Sequence, residues 1–138
     1  MYRLWAAKRH MRLDEFAPSD GKGPILHVTG FGAQRVLEAE AGLHVLEDPT
    51  ERNTRRLVAR VVVASGPERE PAKGKELEVA ASLLAAAPGG SNIVRRYRAG
   101  ASPVVRDTAS GWRTGKLDAV LGGDFDLMGA LARRRPAA

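Results

Sequence analysis

The chain has no cysteine, a single glutamine and only 5% aromatic residues across 138 positions. Without cysteine it has no disulfide, no thiolate zinc site and no thiol nucleophile. Its three histidines, His10, His27 and His44, lack metal-ligand spacing, so each is expected to be structural or on the surface, and no metal or other cofactor is expected. No apolar run approaches the roughly 20 residues needed to span a bilayer. The opening Met1-Tyr2-Arg3-Leu4-Trp5 has no basic-then-apolar signal pattern. A soluble, cytoplasmic protein with no membrane contact is the resulting expectation.

What is present suits one modest core: 43% hydrophobic and 28% charged residues. The net charge of +6 is uneven. Residues 1–66 carry ten Lys/Arg against eight Asp/Glu, residues 67–90 three against four, and residues 91–138 nine against four. The last third is therefore the basic part, and most of its cations are arginine: Arg95, Arg96, Arg98, Arg106, Arg113 and the run at 133–135. The guanidinium fork matches phosphate oxygens, and neutralising phosphates releases counterions, so such a surface fits RNA. A solvated charged face is the plain alternative.

Periodicity predicts a short helix from Tyr2 to Met11 with Leu4, Trp5 and Lys8 on one face, a turn over Phe16–Gly23 and a strand at Ile25–Val28. A helical stripe of Ala33, Val36, Leu37 and Ala41 follows, with Arg35, Glu38 and Glu40 outward and Gly42 as its stop. Leu43–Glu47 and Leu57–Ala64 read as strands around a polar loop, Asp48–Thr54. After a charged linker, Glu76–Ala87 reads as a helix with Leu77, Ala80, Ala81, Leu84 and Ala87 at core spacing. Ile93–Arg98 and Pro103–Asp107 read as strands, Thr108–Gly115 as a loop holding Trp112, and Lys116–Leu121 as a short helix. Asp124 is placed to cap a last helix through Phe125, Met128 and Leu131. The order gives an α+β fold, a small and mostly antiparallel sheet covered on one face by helices.

Two blocks of motifs stand out. The first holds Met1-Tyr2-Arg3-Leu4-Trp5-Ala6, Gly42-Leu43-His44-Val45-Leu46, Arg55-Arg56 and the valine-rich strand ending at Pro67-Glu68. The second holds Ile93-Val94-Arg95-Arg96-Tyr97, Val105-Arg106-Asp107, Thr114-Gly115 and Leu117 through Asp126. In this order and near this spacing the two blocks resemble bacterial class I peptide chain release factors. The resemblance implies a codon-reading (PCRF-type) domain over 1–68, a linker and helix over 69–92 where the family carries its Gly-Gly-Gln domain, and the family's C-terminal segment over 93–138. It implies that the two outer parts pack into one superdomain. The family's N-terminal helical domain has no counterpart, since Met1 matches a position inside the codon-reading domain.

Release chemistry needs a glutamine-bearing loop that positions water and meets the developing oxyanion. The only glutamine is Gln34; Gly89-Gly90 runs into Ser91 and Gly122-Gly123 into Asp124. No catalytic residue and no small-molecule substrate is therefore expected. At the codon-reading tripeptide the chain has Asp48-Pro49-Thr50, and where the family has His-Thr after the arginine pair it has Leu57-Val58. Thr50 remains able to reach a base edge, while the Asp48 carboxylate would repel phosphate.

Two readings follow from the resemblance. In one, a translation-associated factor binds the ribosomal A site without hydrolysing peptidyl-tRNA, touching ribosomal RNA through Arg52, Arg55, Arg56, Arg95, Arg96, Arg106, Trp112 and Arg113. In the other, the superdomain is reused to bind a protein partner in a larger assembly, with no RNA contact. Trp5 and Phe125 lie on helical stripes and are expected in the core, while Tyr97 and Trp112 suit either environment.

Overall fold

The computed structural model describes residues 1–50 and 52–133, the side chains of 130–133 excepted. Leu131 and the arginines at 133–135 thus lie outside the side chains described. The chain runs α1 (Tyr2–Lys8), β1 (Arg12–Phe16), β2 (Ile25–Thr29), α2 (Ala33–Glu38), β3 (Gly42–Pro49), β4 (Thr54–Val61), α3 (Glu76–Ala86), β5 (Ile93–Arg98), β6 (Val104–Asp107), β7 (Arg113–Thr114), α4 (Leu117–Ala119) and α5 (Phe125–Arg133). A wide turn, Val120–Asp124, joins the last two helices.

The α+β class holds, with two sheets. β1 and β2 form an antiparallel pair, and the other strands form a mixed sheet in the order β4-β3-β5-β6-β7. Only β3 and β5 run parallel; the other neighbours are antiparallel. The parallel pair brings the two blocks of sequence together at the centre of the sheet. One core cluster then draws Trp5, Ala6 and Ala33 from the first block and Tyr97, Val105, Trp112, Leu117, Val120, Phe125 and Met128 from the second.

Several local expectations are corrected. α1 ends at Lys8 and buries Trp5 and Ala6, while Leu4 is half exposed. β1 lies where no strand was expected, and β7 falls inside the predicted loop. Gly42 opens β3 instead of closing α2, at φ 137° with Asn92 O and Val94 Cγ2 each 2.7 Å from where a Cβ would stand. The loop between β3 and β4 shortens because Asp48 and Pro49 belong to β3. α3 forms as predicted but buries no residue, with Leu77 and Ala81 exposed. Val79, Ala80, Leu83 and Leu84 instead face a cleft of about 570 Å³ shared with β1, β2 and residues 64–67.

The closing turn explains how the ends meet. Gly123 has φ 109°, and a Cβ there would lie 2.6 Å from Trp5 N and 2.7 Å from Trp5 Cα. Glycine therefore lets two backbones touch where any side chain would separate them. Asp124 and Asp126 hold that contact together. Lys8 Nζ donates to Asp124 Oδ1 at 3.3 Å, and Asp126 accepts from Trp5 Nε1 at 3.0 Å and from Arg9 Nε and Nη2 at 3.1 and 2.8 Å. The predicted capping role of Asp124 gives way to this clamp on α1.

Candidate nucleic-acid interface

Side chains at paired positions of neighbouring strands share a face, so the register sorts the arginines of the five-stranded sheet. On the inner face, His44 pairs with Arg95 and Arg95 with Asp107, while Leu46 pairs with Tyr97 and Tyr97 with Val105. On the outer face, one row crosses all five strands as Val58, Val45, Arg96, Arg106 and Arg113. The next row is Arg56, Glu47, Arg98 and Val104. Arg60, opposite Leu43, completes the set.

Arg95 is therefore corrected from RNA contact to core. It is 3% exposed. Glu40 receives it in a fork, with Nη1 on Oε1 and Nη2 on Oε2 both at 2.7 Å. Asp107 Oδ1 accepts from its Nε at 3.2 Å and Nη2 at 3.0 Å, and Tyr97 Oη accepts from Nη1 at 3.1 Å. Aromatic rings surround the cation, with its Cζ 5.1 Å from the Trp112 ring and 5.5 Å from the Phe125 ring. Trp112, 7% exposed, is withdrawn from the interface on the same ground. Burial opposes the guanidinium's charge, but the hydrogen bonds and charge of Glu40 outweigh it and hold its pKa above the ordinary value.

The network extends to His44 and Tyr2. His44 Nε2 lies 2.8 Å from the Glu40 carbonyl oxygen, which only an N–H can satisfy. Its Nδ1 lies 2.8 Å from Tyr97 Oη and, in the neutral ring, accepts from that hydroxyl. Burial, the first cause, lowers the His44 pKa accordingly. Burial likewise pushes the Tyr97 hydroxyl up to about 12. Tyr2 Oη donates to Glu40 Oε1 at 3.1 Å. Every buried side-chain polar atom among the described residues has a partner. Glu40, expected on the outer face of α2, is the residue that sequence reading missed. It stands seven positions after Ala33 and three after Leu37, which is core-facing spacing.

The outer face has the opposite character. Arg56, Arg60, Arg96, Arg98, Arg106 and Arg113 are all exposed, and none makes an ion pair among the described residues. Val45 is buried on this side, apart from the main core cluster. Arg98 and Arg113 also line an open hollow of 620 Å³ with Pro49, Pro103 and Gly115. Like charges directly opposed across strands destabilise a sheet. Here Arg96 faces Arg106, and Arg106 faces Arg113.

The remaining expected residues gather at the hairpin tip. Arg52 and Arg55 are exposed, Arg55 opposite Asp48. Thr50 is committed locally: its Oγ1 donates to Asn53 O at 2.6 Å and accepts from Asn53 N at 3.1 Å. Its proton is thereby used within the loop, and one acceptor lone pair is left over. Among the described residues no acidic or histidine cluster suits a metal, and no helix is long and apolar enough to cross a membrane.

A mixed sheet sealed on one face by the first and last helices, with a parallel pair joining two blocks of sequence, gives a release-factor-like fold. A solved structure with this fold is release factor RF2 of Thermus thermophilus, matched with a TM-score of 0.58 and 18% identity. The match covers 98% of this chain and 62% of that one, so the chain corresponds to less than two thirds of RF2. No protein-family model and no curated protein sequence matches the chain.

Proposed function

We propose that the protein binds ribosomal RNA through the outer face of its five-stranded sheet and occupies the ribosomal A site without hydrolysing peptidyl-tRNA. The observation that carries this reading is the row Arg96, Arg106, Arg113, three cations in directly opposed positions with no ion-pair partner among the described residues. A polyanion threaded across the strands would relieve that repulsion, and strand spacing of about 5 Å sets the arginines close enough to serve neighbouring phosphates. Arg98 beside them would extend the contact. The RF2-like fold supports the ribosome as the setting.

The non-hydrolytic part of the reading rests on the missing glutamine loop. Gln34 Nε2 is bonded to Glu38 Oε1 at 2.8 Å and to Ser65 Oγ at 2.6 Å. Gly122-Gly123 is packed under α1. Neither feature resembles a loop free to enter an acyl-transfer centre.

Co-sedimentation with ribosomes across a salt series tests the proposal. Each phosphate-bound arginine contributes about one unit to the slope of log affinity against log salt. The triple variant R96Q/R106Q/R113Q should therefore lose about three units while keeping its fold. Equal slopes for variant and parent would overturn the RNA contact, and release of nascent peptide from stop-codon complexes would overturn the non-hydrolytic assignment.

A further inference from the structure

We infer that the free edge of β4 is a strand-addition site for an acidic extended segment of a partner protein, independent of the proposed RNA face. β4 is the terminal strand of its sheet, and residues 52–60 are all exposed. Its register with β3 is unbroken from Thr54 to Val61. Among the described residues no proline, bulge or covering helix protects this edge, and those are devices by which sheets avoid unwanted pairing.

The backbone shows which groups are on offer. Leu43 N donates to Asn92 O at 2.9 Å and Ala99 N donates to Glu47 O at 2.9 Å, so odd-numbered residues of β3 turn their backbone groups toward β5. Even-numbered residues of β3 therefore bond to β4. Their opposites, Arg55, Leu57 and Ala59, are used inside the sheet. Antiparallel pairs alternate between bonded and unbonded. Arg56, Val58 and Arg60 consequently aim their N–H and C=O groups outward. Pro49, which has no N–H, sits opposite Thr54 in an unbonded pair, as this alternation requires.

The side chains specify the occupant. Leu57 is 45% exposed and Val58 55% exposed, one on each face, and Arg55, Arg56 and Arg60 flank them. Antiparallel pairing with a second copy centred on Val58 would set Arg56 against Arg60, so the charges select against self-association. An acidic strand with an apolar centre meets no such penalty, and main-chain bonding supplies affinity while alternate side chains supply specificity. Antiparallel to Arg60 through Arg55, the complementary sequence is Glu-Val-Val-Val-Glu-Glu.

That hexapeptide, acetylated and amidated, is the probe. Bound to the full chain, it should slow amide hydrogen exchange at Arg56, Val58 and Arg60, and a twin with lysine in place of glutamate should not. Val58→Pro removes one outward N–H at a position where an edge strand tolerates proline. It should weaken the peptide at least tenfold and leave ribosome co-sedimentation within twofold. Should Val58→Pro not fold, Arg55→Glu should weaken the peptide, and a peptide with lysine as its last residue should restore binding. Equal peptide affinity in Val58→Pro and parent overturns the inference. So does failure of the charge swap to restore binding, or protection of the same three amides by a single-stranded oligoribonucleotide. Because the readout is local to β4, the RNA face can fail while this site stands, and the reverse.

Discussion

The two faces of the five-stranded sheet use the same residue type for opposite ends. On the inner face Arg95 is enclosed by Glu40, Asp107 and aromatic rings; on the outer face its sequence neighbour Arg96 is exposed opposite Arg106. One is a buried charge whose partners were built into the fold. The other is a charge whose partner must come from outside. A run of arginine is thus two populations once strand alternation divides it.

The largest expected effect lies on the inner side. Removing one partner of a buried ion pair costs about 3–5 kcal/mol, because the remaining charge stays desolvated. Glu40→Ala should lose stability on that scale in urea unfolding. A loss below about 1 kcal/mol would show that Arg95 is not sealed, and the contrast between the faces would fail.

His44 provides a smaller, pH-dependent test on the same side. Its folded pKa lies below the ordinary 6.5 because burial disfavours the charged ring, with Arg95 adding to the shift while Glu40 and Asp107 oppose it. As pH falls below about 6.5 the unfolded chain takes up a proton that the folded chain refuses. Stability should therefore fall with pH in that range, by at most about 1.4 kcal/mol per pH unit from this group. His44→Gln should flatten the profile there; an unchanged slope would remove His44 from the network's titration.

The smallest effect belongs to the outer face. Arg106→Gln relieves repulsion from both Arg96 and Arg113, so thermal unfolding should show unchanged or increased stability, by about 0.2–1 kcal/mol. A clear destabilisation would mean that the outer arginines already have partners within the fold.

Much of the architecture was legible from periodicity, and the exceptions have physical causes. Arg12-Leu13-Asp14-Glu15-Phe16 lacks clean alternation because β1 pairs only with β2 in a sheet of two strands. Arg113-Thr114 is too short a strand to leave a pattern. The candidate site was legible as composition but not as geometry. Adjacent Arg95 and Arg96 look equivalent until β5 is registered against β6, where one meets Asp107 and the other Arg106. Glu40 did carry a signal, its spacing from Ala33 and Leu37 just past the end of α2, but a carboxylate there reads as outward unless its buried cation is already known. Trp112 looked like a stacking platform among cations because the guanidinium it covers belongs to Arg95 on β5, beyond the neighbouring β6.

The contact at Gly123 bears on how the molecule assembles. Trp5 and Asp126 are 121 positions apart, yet their hydrogen bond and the bare backbone approach beside it close the core. During synthesis this contact cannot form until the residues around 123–126 have left the exit tunnel. Closure of the core at this contact is thus a late event, and it carries the entropy cost of a long loop. A nascent chain stopped before that point would expose Trp5 and its neighbours to chaperones.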